Sequence, residues 1–176
     1  MMVNTFFENK VDQLFAVASR LAEALTRAGI EYRVVGGFAA YMHVNEVDPI
    51  AARLTRDIDV AVDRNDLDAI IETVRPFGFQ YRLAAGVDML VDANAPKAHS
   101  AVHLLFVPDF SPAVRYSNGI SILSVADLLK MKLTSFRLKD RVHIQDLDGV
   151  GLITPDIEAQ LSPLLKSRLA EVRATE

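Results

Sequence analysis

Asp57 and Asp59 stand two apart in the run Asp57-Ile58-Asp59-Val60-Ala61-Val62. The run alternates and is rich in β-branched residues, so it reads as a strand, and residues two apart on a strand share a face. The two carboxylates then lie side by side while Ile58 and Val60 turn to a core. Adjacent anions repel each other unless a cation stands between them. Mg2+ (or Mn2+) prefers oxygen ligands and takes only a few from protein, so the pair is a candidate metal site of the kind that orients a nucleoside triphosphate. Without an ion the same pair is a solvated strand end, and Asp63 and Asp66 nearby are surface acids of that kind.

Gly36-Gly37 follows the apolar strand Tyr32–Val35 and precedes a helix expected over Phe38–Val44. Glycines let the backbone turn sharply and approach a ligand, and the helix amino-terminus offers free N–H groups to phosphate. Such a turn can also join strand to helix and bind nothing. The order carries the argument: strand, Gly-Gly turn, helix, loop, then the Asp-x-Asp strand. Lys130, Lys132, Arg137, Lys139 and Arg141 form the one local basic cluster. It suits the phosphates of a nucleotide or a tRNA end, and equally the wet face of two helices.

The elements that must position these residues are legible in outline. A capping box at Thr5 and Glu8 opens a helix whose apolar positions run from Val11 to Leu25, ended by Gly29. The loop over 45–55 contains Pro49. Asn65 is placed to cap a helix through Val74. Strands follow over 79–84 and 87–91, joined at Ala85-Gly86, then a polar loop over 94–100 and a strand over 101–107. The stretch 108–119 reads as irregular. Ser124 caps one helix, Gly149 and Gly151 close a second, and Thr154-Pro155 opens a third. This is an α+β pattern: a mixed β-sheet flanked by helices, with a helical carboxy-terminal extension. The expected division is an α/β core with an amino-terminal helix over 1–123 and a helical extension over 124–176, packed as one unit.

The whole chain, 176 residues with 51% hydrophobic composition, suits one compact domain. It has no cysteine, which removes disulfides, thiolate metal sites and thiol catalysis. A net charge of −4 gives no global basic field toward nucleic acid or membrane. No apolar run approaches the roughly 20 residues that span a bilayer, and no secretion signal is read at Met1–Lys10, so the expectation is a cytoplasmic protein with no membrane partner. His43, His99, His103 and His143 have no metal-ligand spacing on one element. Arg137 and His143 match the loose Arg-(four to six)-His pattern of HEPN ribonucleases, which are all-helical, unlike this chain. His143 lies three residues after Asp140, which favours a contact between the two. Ser117, Ser121 and Ser124 have no nucleophile-elbow context.

The ordered set resembles the polymerase-beta-like nucleotidyltransferase superfamily, in which a Gly-Gly or Gly-Ser turn precedes Asp-x-Asp and a third acid on a later strand. More narrowly, Val34-Val35-Gly36-Gly37-Phe38-Ala39-Ala40-Tyr41 with Arg53-Leu54-Thr55-Arg56-Asp57-Ile58-Asp59 is similar to the bacterial group related to AbiEii toxins and to minimal nucleotidyltransferases. So are Asp127-Leu128-Leu129-Lys130-Met131-Lys132-Leu133, Arg137-Leu138-Lys139-Asp140 and Asp146-Leu147. The resemblance implies an Mg-dependent transfer of NMP from an NTP to a protein or RNA acceptor, with a cognate toxin or antitoxin as partner. It implies that Gly36, Gly37 and Arg56 hold the nucleotide and that Asp57 and Asp59 hold the metal and serve catalysis. Lys132 would reach a phosphate, and Lys139 with Asp140 would line the site from the helical part.

Two positions depart from the family pattern. Gly37 stands where many members have serine, so one hydroxyl contact to phosphate is missing. His103, in Ala101-Val102-His103-Leu104-Leu105-Phe106, stands where the third acid is expected. A neutral imidazole can act as a base near pH 7 but is a poorer partner for Mg2+. Asp88 and, less directly, Asp109 are substitute acids. Two readings stay open: a transferase with His103 catalytic, or a weak or inactive member that binds nucleotide or a partner, with His103 a hydrogen-bonded strand residue.

Overall fold

The computed structural model describes residues 2–93, 101–116 and 118–175, with side chains from Lys10 onward. The expected polar loop over 94–100, with His99, lies outside the described residues, as does Ser117. The chain begins with α1 (Met2–Arg27), β1 (Tyr32–Val35) and α2 (Gly36–Val47). Next come β2 (Ile58–Val62), α3 (Leu67–Val74), β3 (Phe79–Ala84), β4 (Val87–Asp92) and β5 (Val102–Phe106). It closes with β6 (Ala113–Arg115), β7 (Ser121–Leu123), α4 (Val125–Ser135), α5 (Leu138–Gly149), α6 (Pro155–Ala159) and α7 (Pro163–Arg173).

The strands form one mixed seven-stranded sheet in the order β3-β4-β5-β2-β1-β7-β6. β1 runs antiparallel to β2, and β2 runs parallel to β5. One face is the core: Val34 pairs with Val60, Val60 with Leu104 and Ile58 with Val102, and all are buried. α1 lies over that face, where Arg20 donates to Asp92 at 2.7 Å and sits 4.8 Å above the Phe79 ring. The opposite face carries the row Met89, His103, Asp59, Val35 across β4, β5, β2 and β1. That row brings the end of β1, and so Gly36, beside Asp59.

Several boundaries differ from the sequence reading. The first helix begins at Met2 and runs through Thr5 and Glu8, so Thr5 is not at its cap. β2 begins at Ile58, leaving Asp57 on the extended segment before it. α2 takes in both glycines and continues to Val47. Asp63, not Asn65, caps the turn before α3, its carboxylate accepting from the Asn65 amide at 2.8 Å. The stretch read as irregular contains β6, and the last helix divides into α6 and α7. Ser124 and Thr154 cap their helices as read, each accepting from the backbone three residues on. Ala85 and Gly86 both take positive φ, the backbone of a two-residue hairpin turn.

Candidate active site

Gly36 is the first constraint on the site. Its φ is +69°, and a Cβ there would fall on the Asp59 carboxylate. Glycine is therefore required twice, by backbone conformation and by the close approach of Asp59. α2 starts with no side-chain cap, because its preceding residue is Val35. Its first N–H groups thus lack the oxygen that a Ser, Thr, Asp or Asn would offer.

Asp59 and His103 are directly paired across the parallel strands β2 and β5. His103 Nδ1 lies 3.1 Å from Asp59 Oδ1, and both side chains are part-buried. A carboxylate on Nδ1 fixes the ring and favours the proton there, leaving Nε2 as the acceptor. Asp88 is not a substitute acid. It lies one residue from Met89, the partner of His103, so it points to the other face of the sheet. There it accepts from the Tyr81 hydroxyl at 2.6 Å and pairs with Arg64. Asp109 lines a separate hollow with Arg33, Phe110 and Asp127.

The helical part supplies the cations. Lys132 on α4 is only 2% exposed. Its Nζ lies 2.9 Å from His143 Nδ1 and 3.7 Å from Asp140 Oδ1. Burial pushes the Lys132 amine down to about 8, although the Asp140 and Asp59 charges favour its protonated form. Burial, joined by the Lys132 charge, pushes the His143 imidazole down to about 4. The neutral ring accepts from the lysine, so the contact anticipated between His143 and Asp140 is replaced by one to Lys132.

Asp140 is the hub of this cluster. It accepts from the Ser135 hydroxyl at 2.7 Å, from Arg137 Nε at 2.8 Å and from the Arg137 amide at 3.2 Å. Burial works against its charge, but the Arg137 and Ser135 hydrogen bonds win and hold the carboxyl below its ordinary range. Asp140 thereby positions Arg137 and Lys132. The basic cluster of the sequence is largely spent inside the protein: Lys130 pairs with Asp127, Arg137 with Asp140 and Arg141 with Glu171. Lys132 is the buried member, whereas Arg137 and Lys139 are exposed and line the cleft.

One cleft of about 320 Å3 gathers these groups. Gly36, Gly37, Arg56, Asp57, Asp59, His103, Lys132, Lys139 and Asp140, the full set marked in the sequence, all line it. So does Arg137, from the basic cluster read as suiting phosphates, and so do Leu54, Thr55 and His143, to which the sequence assigned no role in this site. Thr55 had one available signal, since it continues the spacing of two from Asp57 and Asp59. Among the described residues no cluster of three or more His, Asp or Glu side chains is placed to enclose a metal ion. The protein offers two carboxylates, a donor set that fits a cation completing its shell from water and phosphate.

Over most of its length the chain is similar in fold to two solved structures. An antigenic nucleotidyltransferase-like protein from Paracoccidioides brasiliensis matches with a TM-score of 0.62 at 18% identity, over 94% of this chain and 89% of that one. The chain has the nucleotidyltransferase fold. The antibiotic-resistance factor ANT(2″)-Ia, solved in solution, matches with a TM-score of 0.57 at 9% identity, over 94% of each chain. No protein-family model matches the sequence. No curated protein matches it either. Among the described residues no helix is long and apolar enough to cross a membrane. The all-helical HEPN alternative is incompatible with the seven-stranded sheet.

Proposed function

We propose that the protein transfers NMP from an NTP to a hydroxyl of a protein or RNA acceptor, using the Gly36–Asp59 cleft. The observation that carries this reading is the convergence of the Asp57 and Asp59 carboxylates, the uncapped start of α2 and buried Lys132 on one cleft. Asp57 and Asp59 would hold Mg2+ or Mn2+, which when bound neutralises phosphate charge and orients the α-phosphorus. The backbone of Gly36 and Gly37 and the Lys132 ammonium hold the triphosphate, with Arg56 and Lys139 at the rim. The acceptor oxygen forms a bond to the α-phosphorus as the bond to the β-bridging oxygen breaks, and pyrophosphate leaves. The acceptor proton passes to His103 Nε2, with Asp59 orienting the ring through Nδ1. The motifs shared with the AbiEii-related group support a role in a toxin–antitoxin pair, with the cognate toxin or antitoxin as partner. The two-part organisation fits this use: the core over 1–123 supplies the carboxylates and the extension over 124–176 supplies Lys132.

The test is transfer of label from each α-labelled NTP, with Mn2+ or Mg2+, onto total RNA or lysate protein. Asp57→Ala is expected to abolish transfer. Undiminished transfer by that variant would remove this site from the reaction. His103 at the third-acid position favours a second reading, a weak or inactive member that binds nucleotide. His103→Asp separates the two: a gain in transfer over a silent natural protein supports binding alone, whereas robust activity in the natural protein excludes it.

A further inference from the structure

Gly37 is a glycine for a different reason from Gly36. Its φ is outside the left-handed region, so its backbone would accept a side chain. Space forbids one. A Cβ at Gly37 would meet Thr55 Oγ1 at 2.9 Å, Thr55 Cβ at 3.3 Å and His143 Cε1 at 3.1 Å. The volume that a side chain at 37 would occupy is already filled, and one of the groups filling it is a hydroxyl.

That hydroxyl is nearly free. Among the described residues Thr55 Oγ1 reaches only the Asp57 carbonyl oxygen, at 3.5 Å, the long limit of a hydrogen bond. It lines the same cleft as Gly36, Gly37 and Lys132. Thr55, Asp57 and Asp59 follow at a spacing of two along the segment that enters β2, and all three line the cleft. The segment is tethered, because Arg53 Nε bonds Asp146 Oδ1 on α5 at 2.9 Å.

We propose that Thr55 is a triphosphate-binding residue: its Oγ1 donates to a phosphate oxygen from the side of Gly37, where the chain has no hydroxyl of its own. The His143 ring takes up the remaining space against Gly37. A neutral donor suits this position, because it adds a hydrogen bond beside Asp57 without forming the ion pair with the carboxylate that a lysine would. The inference rests on the cleft being a triphosphate site, and the test separates the two.

Inorganic tripolyphosphate with Mn2+ is titrated into the full chain by calorimetry, which makes the result independent of the base. Thr55→Ala is expected to weaken binding about tenfold, the scale of one hydrogen bond to a charged group, while Thr55→Ser stays within about twofold. Gly37→Ser alone adds a side chain to filled space and is expected to weaken binding and lower the melting temperature. The double variant Gly37→Ser/Thr55→Ala moves the hydroxyl to the first turn of α2, and is expected to regain most of the tenfold loss. A purely structural threonine would not allow that rescue. If the natural protein binds and Asp57→Ala does not, but Thr55→Ala binds as well as the natural protein or the double variant shows no rescue, the role of Thr55 is overturned and the triphosphate site stands. If the natural protein itself fails to bind, both readings fall. Melting curves of each variant identify any that is unfolded. Should Thr55→Ala unfold, Thr55→Val replaces it and carries the same expected loss.

Discussion

Lys132 and His143 are paired so that only one of them carries charge. The Lys132 amine lies near 8 instead of its usual 10.5, so the unfolded chain keeps a proton between those values that the folded chain has released. Stability from this group therefore rises as pH climbs from about 8 to 10.5 and is constant below 8. The proposed phosphate contact of Lys132 runs the other way, because its charge is lost above about 8. Triphosphate binding is expected to weaken across pH 8 to 10, and Lys132→Gln to bind weakly with no such dependence, by calorimetry at each pH. His143 sits near 4 instead of 6.5, so the unfolded chain binds the extra proton in that window and stability falls as pH drops through it. Melting temperatures of the natural protein should fall from pH 6.5 to 4, with a shallower slope for His143→Gln. Gly36→Ala is expected to cost about 2 kcal/mol in urea unfolding, from left-handed backbone and displacement of Asp59, and to abolish Mn2+ binding. His103→Ala should lower the transfer rate on the order of 100-fold if it is the base, with little change in triphosphate affinity.

Among the elements, α4 depends on α7 for its end. Phe136 follows α4 in a left-handed conformation, φ +50°, and its ring lies 4.1 Å from the Arg141 guanidinium and 4.9 Å from that of Arg168. Arg168 Nη1 donates to the Leu133 and Thr134 carbonyls at 2.6 and 2.9 Å, satisfying acceptors that a helix end leaves open. Arg168→Ala is expected to cost about 1–2 kcal/mol in urea unfolding, with Lys a partial replacement. None of this was legible in the sequence, since residue 136 meets residue 168 only through tertiary packing. By contrast, the strand rule placed Ile58 and Val60 in the core and the carboxylates outside it, because alternation survives any tertiary context. β6 escaped notice for a physical reason: Ala113-Val114-Arg115 is three exposed residues with no buried face to imprint a pattern. The site shows the same split. Asp57, Asp59, Gly36 and Gly37 were readable from local spacing. Thr55 and His143 owe their roles to what stands across from them, and no spacing within one element encodes that.

At the scale of the molecule, anything that binds the folded cleft and not the unfolded chain adds stability by mass action. Mn2+ with an NTP at about 100 times its dissociation constant should add about 2.7 kcal/mol, a rise of roughly 5–10 °C in melting temperature for a domain this size. Chelation should reverse it, and Asp57→Asn should show no rise; a rise in that variant would place the binding elsewhere. The cleft also spans the chain: Gly36 comes from its first quarter, while Lys132 and His143 come from α4 and α5. During synthesis the carboxylates and the Gly-Gly turn emerge long before their cation. A chain still attached to the ribosome at β7 holds Asp57 and Asp59 without Lys132, Asp140 or the ring that braces Gly37. Under the proposed function, holding a triphosphate requires the helical part to be in place, so a chain halted at β7 is expected not to bind tripolyphosphate.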